Sequence, residues 1–248
     1  MLTEERHQRI IALIEQQGIV KLNELVTALG ASESTIRRDL SELEEKTLLK
    51  RIHGGATRFY EPQKELDMIE KADKQVSQKL RIAQEAACLI KNDECIYIDA
   101  GTTTLAMIHF ITAENVTVVT NGLPHSLALA KRNITTYTIG GKVKMSTLAA
   151  VGAIASETIQ GYHFDRAFIG ANGIDAEKGY TTPDPDEAQI KRLGINLANI
   201  AYILADSSKI NRSFFSKICD SGDATLITNQ LTADERARLS QKITIIEG

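Results

Sequence analysis

Residues 34–40 read STIRRDL, two adjacent arginines set between an isoleucine and a leucine. The pattern predicts a helix capped by Ser32 and running to about Lys46. At roughly 100° per residue with Ile36 at zero, Leu40 and Leu43 fall within about 40° of it, while Ser34, Arg37, Arg38 and Ser41 spread over about 100–200°. The apolar side is committed to packing, so the two guanidinium groups face outward. Working back along the chain, Ile10, Leu13 and Ile14 form a helix-period stripe in TEERHQRIIALIEQQG, which Thr3 can cap and Gly18 stops. KLNELVTALG reads as a short helix with Asn23 as its N-cap and a turn at Gly30. Helix, short helix, tight turn and longer helix is the layout of a helix-turn-helix. LLKRIHGGATRFY then alternates around Gly54 and Gly55 and predicts a two-stranded hairpin, a wing following three helices.

Outward arginines at the start of the second helix of such a motif are where base edges and phosphates are met. The guanidinium fork suits guanine O6/N7 and phosphate oxygens, and the hydroxyls of Ser34 and Thr35 can donate to the DNA backbone. The competing account is a solvated helix on which Arg37 and Arg38 balance Glu33, Asp39, Glu42, Glu44 and Glu45. Residues 1–58 carry nine basic and nine acidic side chains, which supports that account. A second basic cluster on the wing, Lys50, Arg51, His53 and Arg58, favours double-stranded DNA.

The whole chain sets looser bounds. Its 248 residues, 43% hydrophobic and 25% charged, suit a globular protein of one large or two ordinary domains. A net charge of -3 leaves any nucleic-acid role to local clusters. Cys88, Cys95 and Cys219 show no CxxC spacing and are expected as reduced, structural thiols. His7, His109, His125 and His163 have no metal-like spacing and read as surface or core residues, so no metal or cofactor is expected. No apolar run approaches the roughly 20 residues a membrane span requires, and the expectation is a cytoplasmic protein without membrane contact.

From about Lys79 the pattern changes. QKLRIAQEAACLI is helical, and CIYIDAG, VTVVTNG, TTYTIGG, RAFIGANG, AYILADSS, ATLIT and ITIIEG are candidate strands. Helix-period stretches such as PHSLALAKR, VGAIASETIQ and DEAQIKRLGINLAN separate most of them. The expected fold is α/β: a winged helix-turn-helix over residues 1–57, a linker over 58–78, and a larger Rossmann-like domain with a mainly parallel sheet over 79–248.

YIDAGTTTLAM is a strand, a glycine turn with three threonines, and a helix. Such a turn offers backbone N–H groups and hydroxyls to an anion, although Gly and Thr also occur there for capping alone. VTNGLPH repeats the geometry, with Asn121 and Gly122 ending a strand and Pro124 opening a helix, and ADSSK ends a later strand. In a parallel sheet these ends share one edge, where ligands of such folds bind. That edge gathers phosphate donors (Gly101, Thr102, Thr103, Thr104 and Lys209) with groups suited to sugar hydroxyls (Asp99, Asn121, Asn172, Glu187 and Asp206). The combination suits a phosphorylated sugar.

Arg6, Ile10 and Ile14 at four-residue steps, followed by Ser32, Thr35, Ile36, Arg37, Arg38, Asp39 and Leu40, resemble the N-terminal signature of the DeoR-type bacterial repressors. RIHGGA (51–56) resembles their wing, and DAGTTT, VTNG, GG, FIGANGID and ADSSK recur in order in their sensor domain, so the resemblance spans essentially the whole chain. It implies a repressor of sugar metabolism that binds operator DNA through Ser34, Thr35, Arg37, Arg38, Ser41, Arg51 and His53. It also implies a phosphosugar effector, of fructose 1-phosphate or tagatose 6-phosphate type. The family keeps basic residues eight apart at positions matching Lys71 and Lys79, which adds both to the effector candidates. Heads paired on repeated half-sites imply a homodimer or homotetramer. The family's sensor domain in turn resembles ribose-5-phosphate isomerase, so an isomerase fused to a DNA-binding head is the alternative, with Glu187 as a base beside Asp184 and Asp186. Asn172 stands where the isomerases place an aspartate, and an amide cannot serve as an acid–base group. The expectation is therefore binding without turnover.

Overall fold

The computed structural model describes residues 3–46, 48–52, 54–58, 68 and 75–248. The chain divides into two units, Met1–Lys64 and Glu65–Gly248.

In the first unit, helices α1 (Thr3–Gln17), α2 (Leu22–Leu29) and α3 (Glu33–Glu45) accompany strands β1 (Ile19–Lys21), β2 (Leu49–Ile52) and β3 (Gly55–Arg58). Ile10, Ile14, Leu25, Ile36, Leu40, Leu43 and Leu49 close a single buried cluster. The Ser32 hydroxyl accepts the Thr35 N–H at 3.2 Å and starts α3 as expected. Gly30 takes φ 60°, a left-handed turn that glycine adopts without a Cβ penalty, and its N–H bonds Val26 O at 3.0 Å. Two expectations need correction. Helix α2 begins at Leu22, so Asn23 lies inside its first turn; the Glu24 carboxylate caps it instead, accepting the Lys21 N–H at 3.1 Å. The wing has three strands in the order β1-β3-β2, because Ile19–Lys21 pairs antiparallel with β3. Three residues between Gly18 and a helix are too few to show an alternation.

The second unit is built on seven parallel strands: β4 (Cys95–Ile98), β5 (Thr117–Thr120), β6 (Thr135–Thr138), β9 (Phe164–Gly170), β12 (Ala198–Leu204), β14 (Thr225–Thr228) and β15 (Ile245–Glu247). These are the seven candidate strands of the sequence. Alternate residues serve opposite faces. Ile96, Ile98, Val118, Phe168 and Leu204 pack with α4 (Val76–Cys88), α5 (Thr102–Met107) and α6 (Leu123–Lys131). Tyr97, Val119, Ile169, Ile203 and Leu226 pack with α7 (Ala153–Ile159), α8 (Pro185–Asn196) and α9 (Ala233–Leu239). A hairpin of β7 (Lys142–Lys144) with β8 (Ala149–Val151), and an antiparallel sheet of β10 (Gly173–Asp175), β11 (Gly179–Thr182) and β13 (Ser216–Cys219), complete the unit. The sequence reading did not contain these five short strands.

The strand order β15-β14-β12-β9-β4-β5-β6 carries the main consequence for function. From β4 the chain steps outward to β5 and β6, then returns to the other side of β4 at β9 and steps outward to β12, β14 and β15. The order reverses between β4 and β9, and the crossovers leave from opposite faces there, which opens a crevice at the carboxyl ends of those strands.

Candidate functional sites

On the first unit, Arg37 and Arg38 point away from the core, with side chains 55% and 82% exposed. Arg37 pairs with Glu33 at 2.7 Å and Arg38 with Glu42 at 3.2 Å, both one helical turn away. Exposed pairs of this kind contribute only about 0.3–0.5 kcal/mol, so both forks are easily released to another anion. The wing closes against the same helix: the Arg51 guanidinium donates to Ser41 Oγ at 2.6 Å and the Arg51 N–H to Glu44 Oε1 at 2.8 Å. Ser34 and Thr35 hydroxyls gather on Ser32 Oγ at 2.9 and 2.8 Å. Arg37, Arg38, Ser41 and Arg51 thus lie on adjoining parts of one exposed face, and His53 lies outside the described residues. Asp39, counted above among the surface acids, is instead buried. It accepts from Arg6 Nε at 2.5 Å and Nη2 at 2.9 Å and lies 3.1 Å from His7 Nε2, tying α1 to α3. Burial pushes its carboxyl up, and the bonds from Arg6 and His7 outweigh that and hold it below its ordinary value.

On the second unit, a cavity of about 440 Å³ occupies the crevice. Its walls come from the carboxyl ends of three adjacent strands: Ala100–Thr104 after β4, Gly170–Asn172 after β9, and Leu204, Ala205, Asp206, Ser208 and Lys209 at and beyond the end of β12. Lys79 of α4, Glu187 and Lys191 of α8, Thr147, Arg212, Gln75 and Met68 complete the lining. Glu187 is buried and accepts from Thr147 Oγ1 at 2.7 Å, and Lys144 Nζ lies 3.3 Å away. Asp206, also buried, accepts the Ser208 N–H at 3.0 Å. Below the lining, Lys191 bonds the buried Asp99, which also accepts the Gly170 N–H at 3.0 Å. Burial raises the Asp99 carboxyl above its ordinary value, against the pull of Lys191. Lys79, Lys191, Lys209 and Arg212 against Glu187 and Asp206 give the lining an excess of positive charge. Such a lining suits an anion that also carries hydroxyl groups.

The first unit matches the DeoR-like helix-turn-helix domain over residues 6–61, and the second matches the DeoR C terminal sensor domain over residues 74–230. The chain belongs to the DeoR family. An uncharacterized HTH-type transcriptional regulator FruR of Bacillus subtilis is 49% identical over 94% of this chain and 95% of its own. A lactose phosphotransferase system repressor of Staphylococcus aureus is 31% identical over 94% of both chains. The HTH-type transcriptional regulator GlpR of Haloferax volcanii is 32% identical over 100% of this chain and 99% of its own. Among solved structures, ribose 5-phosphate isomerase A of Methanocaldococcus jannaschii gives a TM-score of 0.42 at 18% identity over 55% of each chain, too slight a likeness to bear on activity.

The DeoR sensor cavity brings together Lys79, Gly101, Thr102, Thr103, Thr104, Asn172, Glu187, Asp206 and Lys209 from the sequence candidates. Lys71 lies outside the described residues. Asp99, Asn121 and Gly122 are not in the lining and need correction from ligand groups to supports. Asp99 is spent on Lys191 and Gly170. Asn121 is buried, its Oδ1 accepting the Ala100 N–H at 2.8 Å and its Nδ2 donating to Ala150 O at 3.4 Å. Gly122 sits against the His125 ring. Lining residues absent from the sequence reading include Lys191, Ser208 and Arg212. Lys191 had a usable signal, since it lies one helical turn beyond Glu187 and shares its face. Arg212 had none: a loop arginine looks the same in a sequence whatever it faces.

Proposed function

We propose that this DeoR-family protein is a cytoplasmic repressor of a carbohydrate-utilisation operon. Its hold on double-stranded operator DNA is set by a phosphorylated sugar, of fructose 1-phosphate or tagatose 6-phosphate type. The observation that carries the effector half is the cavity at the β4/β9 reversal, where the threonine turn and lysines meet Asn172, Glu187 and Asp206. A phosphate takes N–H, hydroxyl and ammonium donors, and the amide and carboxylates take sugar hydroxyls. The DNA half rests on the exposed face of Arg37, Arg38, Ser41 and Arg51, repeated across a homodimer or homotetramer to match spaced half-sites. The sugar is bound and not turned over, a reading supported by Asn172, whose Oδ1 accepts the Thr182 hydroxyl at 3.1 Å and has no acid–base chemistry to offer.

The test is thermal melting of the protein against a panel of phosphosugars, with the unphosphorylated sugars as controls. A ligand at 100 times its dissociation constant adds about 2.7 kcal/mol, a readily measured shift. A rise for one phosphosugar that its free sugar does not produce is the expected result. No rise across the panel refutes the effector assignment. Lys209→Ala should leave operator binding in place and blunt the response to that sugar.

A further inference from the structure

We propose that His125, which lies beneath the cavity and not in its lining, is the positioning residue of the phosphate site. The inference rests on the sugar-phosphate reading and names the group that sets the shape of the Gly101–Thr104 turn. His125 is fully buried at the start of α6. Its Nε2 lies 3.4 Å from the Gly101 N–H and 3.1 Å from Thr104 Oγ1. A backbone N–H can only donate, so Nε2 is assigned as its acceptor and the ring proton is assigned to Nδ1. That Nδ1 has no hydrogen-bond partner among the described residues.

A buried donor without an acceptor costs stability, and an apolar side chain of similar size would remove the cost. Departures of this kind from a well-satisfied core concentrate where function requires them. Gly122 points the same way: a Cβ there would stand 2.3 Å from His125 Nδ1, so the backbone beside the ring is kept bare to admit it. The loop after β5 thereby holds successive groups of the turn. Asn121 Oδ1 takes the Ala100 N–H at 2.8 Å and His125 takes the Gly101 N–H. Thr104 Oγ1 stands 2.6 Å from Asp99 O and 3.1 Å from His125 Nε2, with a single proton to give to one or the other. With those donors committed, the N–H groups of Thr102 and Thr103, which have no acceptor within their own helix, and the hydroxyls of Thr102 and Thr103 are left for the ligand. Burial lowers His125 to about 3, so the ring is neutral at working pH and acts as an acceptor, not as a charge.

The test compares His125→Leu, His125→Gln and His125→Asn with the unaltered full chain, titrated with inorganic phosphate and with fructose 1-phosphate at pH 7.5. Leucine supplies no acceptor. Glutamine carries one to about the depth of Nε2, and asparagine stops near the depth of Nδ1. The expected result is that the dissociation constants of His125→Leu rise about tenfold. His125→Gln should recover most of that loss and His125→Asn little of it, a contrast that stands even if the leucine variant does not fold. Equal binding by His125→Leu, or equal losses in His125→Gln and His125→Asn, would overturn the inference alone. Failure of the unaltered protein to bind either probe would overturn the sugar-phosphate reading and this inference with it.

Discussion

Asp39→Asn removes one charge at nearly constant volume from the junction of α1 and α3. The Arg6 guanidinium, 12% exposed, then has its two short bonds weakened and loses the Asp39 charge. Removing one partner of a buried pair costs about 3–5 kcal/mol, and the partial access of Arg6 to water reduces this to about 2–4 kcal/mol. A unit of this size has a total stability of only a few kcal/mol, so most of it would be lost. Hydrogen exchange on the full chain reads the effect locally. At roughly 1.4 kcal/mol per factor of ten, amides in α1 and α3 should exchange about thirtyfold to nearly a thousandfold faster, while those of β9 and β12 keep their rates. The pH dependence follows from the depressed carboxyl. A folded-state value below the unfolded one, about 3.9, gives stabilisation that is complete above the unfolded value and is lost as pH falls through the folded value. The gap between the two proteins should therefore shrink as pH falls below about 4. A change of less than threefold in α1 and α3 at pH 7 would refute the reasoning.

Three further outcomes are expected. Arg37→Ala should weaken operator binding and lower the slope of log affinity against log salt by about one per lost phosphate contact, with stability within about 0.5 kcal/mol of the parent; titration at several salt concentrations by fluorescence anisotropy reads both. Lys191→Met leaves the buried Asp99 with backbone N–H groups, those of Gly170 and Ala100, in place of its counter-charge and should cost about 3–5 kcal/mol in urea unfolding, most of which Asp99→Asn in the same chain restores. Gly194→Ala puts a Cβ 2.6 Å from the Tyr97 ring and should destabilise by about 1–3 kcal/mol in urea unfolding, despite alanine's better helix propensity.

How much of this was legible in the sequence depends on the range over which each signal acts. The inner strands of the large sheet were legible because burial on both faces makes them near-continuous apolar runs, as in CIYI and AYIL, whereas the exposed edge strand TTYT was legible from its β-branched and aromatic residues. β1 and β7 were not, because a three-residue strand such as KVK owes its existence to a partner elsewhere in the chain. The arginine face was legible because helix periodicity alone decides which way Arg37 points. The burial of Asp39 was hidden, since its reason, Arg6, lies 33 residues away. In the sensor cavity the sequence located the loops and could not sort them. Asp99 and Asp206 both end strands and both are buried carboxylates, yet only Asp206 reaches the lining. What separates them is Lys191, which reaches down from α8 and takes the Asp99 carboxylate out of play.

That sorting bears on how an effector can act. Met68 lines the cavity, and its N–H bonds Ser146 O at 2.9 Å; Gln75 and Lys79 line it as well. All three stand at the start of the second unit, where the chain has just left the DNA-binding unit. A ligand that touches this segment needs no long relay through the sheet, because the segment it contacts is the one covalently joined to the head. Binding energy converts to regulation only to the extent that it differs between two arrangements of the protein. Contacts that are the same in both arrangements add affinity and shift nothing. On the proposed function, contacts to Met68, Gln75 and Lys79 are those whose loss would separate the two quantities, leaving a protein that binds its effector while its hold on DNA no longer responds.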